Sequence, residues 1–308
     1  MFMSKLVNNL KDKFNIGNEE LNEFKYVGLN IVSKLSEIEL HQNDNIDSIS
    51  LIPVDRDRLC HLESPLTSIE AQQLKRLVGQ LIWVASQTRP DMAFAACDLS
   101  VSFKSATVKT LLQANKYVKK LKGERVVLKL SDIGQIDNAR IVSYSDASFA
   151  NLESKASQGG FIVFLLGSNG KCAPILWQSH KISRVVKSTL AAETLALQDG
   201  SEASVWLREI IREIYHLKDN PDILSVHYGV CTDSKSLFDA LLSKKQILDR
   251  RLKIDICVIR DMMDRQEISK IHWVSTELQL ADCLTKRGAS SRKLLDVLNN
   301  KEPLILPN

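Results

Sequence analysis

The sequence of 308 residues predicts an α/β fold, with a five-stranded mixed sheet in the element order βββαβααβα and a mostly helical segment before it. Three observations predict this architecture. Before residue 130, apolar side chains recur at helical spacing, whereas from residue 138 short alternating apolar runs are separated by Gly, Ser and Asn turns. The first three runs are close enough for hairpins, and helical stretches separate the later ones, as parallel pairing requires.

The first fifty residues predict only short elements. A helix is expected over residues 4–14, strands around 24–32 and 37–41, and a polar, turn-rich stretch over 43–50. Elements this short cannot bury a core by themselves. We therefore expect this stretch to belong to a larger unit.

Two longer helices follow. Apolar spacing predicts them over residues 68–85 and 106–121, and Pro90 is well placed in the first turn of a helix between them. Residues 104–129 hold eight basic residues and one acid, Glu124. Such a segment is either a solvated helix face or a surface that follows a phosphate backbone, and the segment alone does not decide between them.

The predicted sheet occupies residues 138–290, and residues 291–308 are expected to form a C-terminal helix and a tail. Three strands are expected first, over 141–149, 159–166 and 173–178. A helix over 188–215 and a strand over 224–232 follow, and then helices over 234–242 and 247–265. A strand over 270–275 and a helix over 277–286 come last. Hairpins therefore come first in the chain, and crossover connections follow them.

Composition and motif content exclude several classes of protein. Apolar residues make up 44% and charged residues 25% of the chain, as in soluble globular proteins. The six cysteines form no CxxC pair, which argues against a zinc knuckle or a disulfide scaffold and for an intracellular protein. No apolar run approaches the roughly 18–20 residues of a membrane span, so no membrane partner is expected. Without GxGxxG, GK[ST], HExxH or nucleophile-elbow motifs, no small-molecule cofactor is expected either.

Four acidic residues stand where strands and helices can gather carboxylates. Asp146 ends the first strand, Asp233 comes between a strand and the helix cap Ser234, and Glu193 and Asp282 lie in the first turns of predicted helices. Converging carboxylates repel one another, and divalent cations remove that conflict. We therefore expect these four acids to bind two Mg²⁺ ions, for which Mn²⁺ can substitute. Each acid taken alone is more often a turn residue or a partner of the helix dipole.

Five motifs follow one another along the second half of the chain: YSDAS at 144–148 with SQGGF at 157–161, WQSHK at 177–181, ST at 188–189 with AETLAL at 192–197, CTDSKS at 231–236, and LADCLTK at 280–286. In this order they resemble the RNase H domain of the Pol polyproteins of copia-type retrotransposons. The resemblance implies an RNase H-like fold in which Asp146, Glu193, Asp233 and Asp282 are the catalytic, metal-binding residues.

Upstream motifs extend the resemblance. YVGLNI at 26–31, LVGQLIW at 77–83 and TRPD at 88–91 are similar to the region that follows the palm of the reverse transcriptase in the same elements. The helical segment is then a remnant of the reverse-transcriptase thumb or connection. In that light the basic residues of 104–129 are expected to lie along a template–primer duplex.

The resemblance implies three parts: a truncated reverse-transcriptase remnant (1–130), an RNase H-like domain (138–290), and a C-terminal helix and tail (291–308). A polymerase metal site needs a paired Asp-Asp, and the sequence contains no Asp-Asp dipeptide. We therefore expect no DNA synthesis. The first part is expected to be a relic or a fragment of a longer product.

The function that the resemblance implies is metal-dependent, endonucleolytic cleavage of RNA in RNA–DNA hybrids. The expected partners are the hybrid and the rest of a Pol polyprotein, in a cytoplasmic virus-like particle or in the nucleus. Base sequence should matter little, because such hybrids are recognised by shape and by their 2′-hydroxyls.

Two departures from the family pattern keep alternatives open. Residues 274–277 offer no His before the last acid, and LKID at 252–255 replaces a Lys-His-Ile motif, although neither change removes a metal ligand. A catalytically inactive, nucleic-acid-binding relic is the first alternative. An integrase-type nuclease is a weaker one, because that class places its Glu after the second Asp, whereas Glu193 precedes Asp233.

Overall fold

The computed structural model describes residues 7, 10–14, 20–152, 155–214, 228–243, 246–304 and 306. Its strands are β1 (Glu23–Tyr26), β2 (Leu29–Ser33), β3 (Glu37–His41), β4 (Leu128–Ser131), β5 (Arg140–Ser148), β6 (Gln158–Leu166), β7 (Cys172–Lys181), β8 (Tyr228–Thr232) and β9 (Lys270–Trp273). Its helices include α1 (Asn43–Ser48), α2 (Arg56–Leu59), α3 (Ser68–Gln87), α4 (Ala93–Val101), α5 (Val108–Gly123), α6 (Thr189–Ile214), α7 (Lys235–Leu242), α8 (Arg250–Asp264) and α9 (Arg292–Leu298).

The larger sheet has the mixed, five-stranded form that the sequence predicts. Its strand order is β7-β6-β5-β8-β9. Strands β5, β6 and β7 pair antiparallel, whereas β8 runs parallel to β5 and β9 parallel to β8. Helix α6 makes the crossover from β7 to β8, and helices α7 and α8 make the one from β8 to β9. The predicted α/β, RNase H-like fold is confirmed by this topology.

Helix α6 packs across one face of this sheet, where Phe161 and Leu197 share a buried core. The helix lies close to the strands because residue 200 is glycine. A Cβ atom on Gly200 would stand 3.1 Å from the Cβ of Phe161 and 3.8 Å from the Cβ of Ser145. This approach brings the first turns of α6 against the end of β5.

The region before residue 130 is mostly helical, as predicted. Helix α3 begins with a capping box, in which the Glu70 amide donates to Thr67 Oγ1 over 3.2 Å and the Thr67 amide donates to Glu70 Oε2 over 2.8 Å. Helices α3, α4 and α5 enclose a core of fully buried aliphatic side chains such as Leu81 and Leu111. The early strands also join β4 in an antiparallel sheet in the order β1-β2-β3-β4. The sequence predicts β3, but the stretch predicted as a strand over 24–32 is the hairpin of β1 and β2, and the pairing with β4 is not predicted.

The two regions are in direct contact. The indole Nε1 of Trp177 on β7 donates to the carbonyl of Ala85 on α3 over 2.8 Å. The guanidinium of Arg287 lies 2.6 Å from the carboxylate of Asp98, which is buried on α4. Leu128 of β4 belongs to the same buried core as residues of β5, β6 and α9. The division at residues 130 and 138 stays a prediction.

The helix predicted over 277–286 is wrong. The structure has two short 3₁₀ turns there, Thr276–Leu278 and Asp282–Leu284. The side chain of Gln279 explains the break, because its Nε2 donates to the carbonyl of Ser145 over 2.9 Å while its Oε1 accepts from the amide of Ala281 over 3.1 Å. These contacts hold the segment against β5 in a path that a continuous helix cannot follow. Asp282 therefore begins a 3₁₀ turn and is not part of an α-helix.

Smaller differences concern the predicted element ends. The stretch expected to be turn-rich at 43–50 contains helix α1, which buries Ile46. Part of the first predicted helix (residues 4–6, 8 and 9) and of the predicted strand over 224–232 (residues 224–227) lies outside the described residues. None of the helices in the described part of the chain is long and apolar enough to span a membrane.

Candidate active site

Asp146 lies near the carboxyl end of the central strand β5, and its side chain is almost completely buried. In the sheet it is directly opposite Gly160 of β6, and Gly160 is opposite Ser179 of β7. The hydroxyl of Thr285 donates a hydrogen bond to Asp146 Oδ2. This bond holds the carboxylate of Asp146 in place at the carboxyl end of β5.

Glu193 and Asp233 approach Asp146 from two other elements. Glu193 is buried in the first turns of α6, which starts after Ser188, whose Oγ accepts from the amide of Ala191 over 3.2 Å. Asp233 follows β8 directly and precedes α7, and its carbonyl accepts a hydrogen bond from Trp273 Nε1 over 3.1 Å. Because β8 runs parallel to β5, both strands bring their carboxyl ends to the same edge of the sheet.

The carboxylates of Asp146, Glu193 and Asp233 converge. One carboxylate oxygen of each lies within 4.8 Å of those of the other two. Burial raises the pKa of Asp146 and of Glu193 above the ordinary carboxyl range, and the charges of the neighbouring carboxylates raise both pKa values further. The group is thus electrostatically unfavourable without a counter-ion. A set of oxygen ligands of this kind is what a hard divalent cation binds.

Asp282 does not belong to this close group of three. Its Oδ1 contacts the ammonium of Lys286, and the same ammonium lies 3.5 Å from Asp146 Oδ2. About a quarter of the side chain of Asp282 is exposed, at 25%. Lys286 therefore links Asp282 to Asp146, and Asp282 is not one of the three acids whose oxygens converge.

The turn that carries Asp282 is held by contacts with both regions of the chain. Ser179 Oγ donates to the carbonyl of Leu284 over 2.5 Å, which joins the turn to β7. The 3₁₀ turn Pro90–Met92, which links α3 to α4, packs against the turn Asp282–Leu284. The helical region thus supports the position of one predicted site residue.

Gly160 allows this turn to come so close to the sheet, and Gly160→Ala is expected to displace it. A Cβ at residue 160 would stand 2.7 Å from the Cβ of Leu284, which cannot move without its backbone, and 3.2 Å from the carbonyl oxygen of Leu284. We expect a loss of about 1–3 kcal/mol in the free energy of unfolding, as for other overpacked sites. Gly79→Ala is the matched control, because no atom lies within 4 Å of its added Cβ. Equal stability of the two variants in urea would contradict the tight contact.

Sequence reasoning missed two residues of this site, Thr285 and Lys286, although both lie in the motif LADCLTK. A signal was present, because Asp282 and Lys286 stand at the i,i+4 spacing of an ion pair. The contacts of both residues with Asp146 are long-range and could not be read from spacing. His272 lies on the edge strand β9, with its ring against Gly229.

Several known proteins are similar to this chain in sequence or in fold. No family model matches the chain. The chain is 25% identical over 297 residues to the retrovirus-related Pol polyprotein from transposon RE1 of Arabidopsis thaliana, a match that covers 91% of this chain and 19% of that protein. With the Pol polyprotein from transposon RE2 of the same plant it is 27% identical over 221 residues, which are 70% of this chain and 14% of the relative.

A shorter relative is matched over most of its length. The secreted RxLR effector protein 161 of Plasmopara viticola is 34% identical over 131 residues, which are 42% of this chain and 87% of that protein. Among solved structures, RNase H1 from the archaeon Halobacterium salinarum is 15% identical, with a TM-score of 0.33 over 47% of this chain and 94% of that one.

The strand order and the acidic residues at the edge of the sheet define the class of this protein as RNase H-like. The retrovirus-related Pol polyproteins from transposons RE1 and RE2 are homologues of this chain, and the Plasmopara protein is a further relative. The predicted resemblance is therefore confirmed. The chain spans about a fifth of the length of the RE1 polyprotein.

Proposed function

We propose that this chain is a metal-dependent endoribonuclease that cleaves the RNA strand of RNA–DNA hybrids. The observation that carries the proposal is the convergence of the Asp146, Glu193 and Asp233 carboxylates within 4.8 Å at one edge of an RNase H-like sheet. Buried acids this close need cations. Mg²⁺ and Mn²⁺ fit a set of oxygen ligands without His or Cys.

Asp146, Glu193 and Asp233 would hold one ion, and Asp146 together with Asp282 would hold a second. Two such ions, when bound, supply a nucleophilic water and stabilise the leaving oxygen of a phosphodiester. The residues of the chain fix the ligands. The amide of Ala147 donates a hydrogen bond to Glu193, and Thr285 holds Oδ2 of Asp146. These bonds orient the carboxylates before substrate arrives, which lowers the reorganisation that the reaction requires.

The proposed substrate is the one that the resemblance to copia-type RNase H domains implies. RE1 and RE2 are Pol polyproteins, and the remainder of such a polyprotein is a proposed partner of this chain. Lysines on helix α5, such as Lys116 and Lys119, are exposed and would follow the phosphate backbone of the hybrid. Recognition by shape and 2′-hydroxyls would leave base sequence with little influence.

One observation favours a second candidate function, a hybrid-binding protein without catalysis. The ammonium of Lys286 stands between Asp146 and Asp282, where a second divalent ion would be held. If this lysine does not leave, the site has one metal position, and the chain would bind hybrids without cutting them.

Cleavage of a hybrid with a labelled RNA strand decides between the two candidates. We expect internal cuts in the RNA strand with Mg²⁺ or Mn²⁺, and none with EDTA, with single-stranded RNA or in the DNA strand. Asp233→Asn should retain hybrid binding and lose cleavage, because it removes a metal ligand without adding volume. Salt-sensitive binding without any cleavage by the unsubstituted chain would favour the second candidate.

A further inference from the structure

A cation of the chain itself occupies one side of the proposed metal site. The ammonium of Lys286 contacts Asp282 Oδ1 and lies 3.5 Å from Asp146 Oδ2. The hydroxyl of Thr285 donates to that same oxygen of Asp146. Asp282 Oδ1 and Asp146 Oδ2 therefore each already have a positively polarised partner.

The surroundings of Glu193 and Asp233 are different. No ion pair among the described residues reaches Glu193 or Asp233, although the carboxylate oxygens of Asp146, Glu193 and Asp233 gather within 4.8 Å. Glu193 and Asp233 therefore have no cationic side chain at ion-pair distance among the described residues, and the charge of Lys286 acts on them only from farther away. A divalent cation can therefore bind at Glu193 and Asp233 without displacing a cationic side chain, whereas at Asp282 it would have to displace Lys286.

An ordinary surface ion pair does not account for Lys286. Acid–lysine pairs at i,i+4 are common on exposed helices, where they join neighbours on a single element. Here the ammonium also reaches Asp146, which is buried on another element, and residues 282–286 do not form an α-helix. The lysine thus links the last predicted site residue to the central one.

We propose that Lys286 is a positioning residue whose ammonium takes the place of the second divalent ion until substrate is bound. The inference rests on the proposed function. The substrate-free chain then binds one divalent ion, at Asp146, Glu193 and Asp233, because an ammonium and a divalent cation repel each other and cannot share Asp146 Oδ2.

The side chain of Lys286 is also able to leave. It is 38% exposed, and its four-carbon stem is flexible. A phosphodiester placed at the edge of the sheet offers the ammonium a new anionic partner. Movement of Lys286 to that phosphate would release Asp282 and Asp146 Oδ2 for the second ion. Formation of the full site would thus be coupled to the presence of a nucleic-acid backbone.

The test counts bound Mn²⁺ on the full chain without nucleic acid, by calorimetric titration and by the electron paramagnetic resonance signal of unbound Mn²⁺. We expect one ion for the unsubstituted chain and two for Lys286→Met. Lys286→Arg retains the charge and should bind one ion. Lys286→Met combined with Asp282→Asn should return to one, because the released ligand is gone. Lys171→Met, in the β6–β7 turn at the opposite end of the strands from Asp146, should leave the count at one.

Two ions on the unsubstituted chain, or one ion on Lys286→Met, would overturn the proposal and leave the proposed nuclease intact. Absence of Mn²⁺ binding to every variant would overturn both, because the acidic group would then hold no metal. Folding of each variant is checked by its circular dichroism and by its unfolding in urea. A purely structural role for Lys286 would change stability without changing the number of ions.

Discussion

Asp146→Asn is expected to slow hybrid cleavage by at least about 10²-fold, as loss of one preorganised charged group does in a water-excluded site. In the metal-free protein the same change is expected to raise the free energy of unfolding. Both effects have one cause. The carboxylate of Asp146 is buried beside two other acids, an arrangement that would favour a bound cation and that destabilises the fold without one.

The sign of the pH dependence follows from the raised pKa of Asp146, which burial causes first and neighbouring carboxylates reinforce. The folded protein retains this proton at a pH where the unfolded chain has released it, so stability falls as the pH rises above the ordinary carboxyl pKa of about 4. Asn has no charge to bury. We therefore expect the variant to gain about 1–2 kcal/mol near pH 8 and less near pH 5, since one unit of pKa corresponds to about 1.4 kcal/mol.

The measurement is urea unfolding with EDTA at both pH values, together with the cleavage rate under saturating Mg²⁺. Asp261→Asn is the matched control, because Asp261 is exposed and paired only at the surface with Arg265. We expect the control to change stability by no more than about 0.5 kcal/mol. An Asp146→Asn protein that is less stable than its parent at the higher pH would contradict the electrostatic argument.

Arg89→Met is expected to lower the free energy of unfolding by about 3–5 kcal/mol, because it leaves a buried carboxylate without its partner. The guanidinium of Arg89 makes two parallel bonds of 2.8 Å to Asp91 and a third of 2.8 Å to the carbonyl of Glu124. Both side chains are almost fully buried, at 1% and 0% exposure. The pair thus joins the turn after α3 to the end of α5.

The consequence should extend to the candidate site, because Asp91 belongs to the turn Pro90–Met92 that packs against Asp282–Leu284. Arg125→Met is the control, since it breaks an exposed pair with Asp47 and should cost at most about 1 kcal/mol. The double change Arg89→Met with Asp91→Leu should recover part of the loss, because it removes the stranded charge. Thermal unfolding of the unsubstituted chain and the three variants measures these losses of stability. Equal losses for Arg89→Met and Arg125→Met would refute the role of the buried pair.

The sequence predicted those parts of the molecule that local patterns determine. Alternating strands and helical spacing gave the element order, and family motifs singled out the four acids. Long-range contacts decided the rest. Gln279 bonds to Ser145, which is 134 residues earlier, and this contact replaces the predicted helix with a turn. The pairing of Glu37 with Ser131 in the smaller sheet is equally distant from any local signal. The partners of Lys286 could not be known before the fold brought β5 and the turn together.

The contact between the helical region and strand β7 determines what is exposed when the residues before the larger sheet are removed. β7 forms one edge of the larger sheet, and α4 and β4 pack against it. Edge strands that lose their cover present unpaired backbone groups to other chains. An RNase H-like domain excised at residue 138 would expose that edge strand together with Trp177 and the core that Leu128 now covers. Self-association, more than loss of chemistry, would then limit the behaviour of the excised fragment in solution.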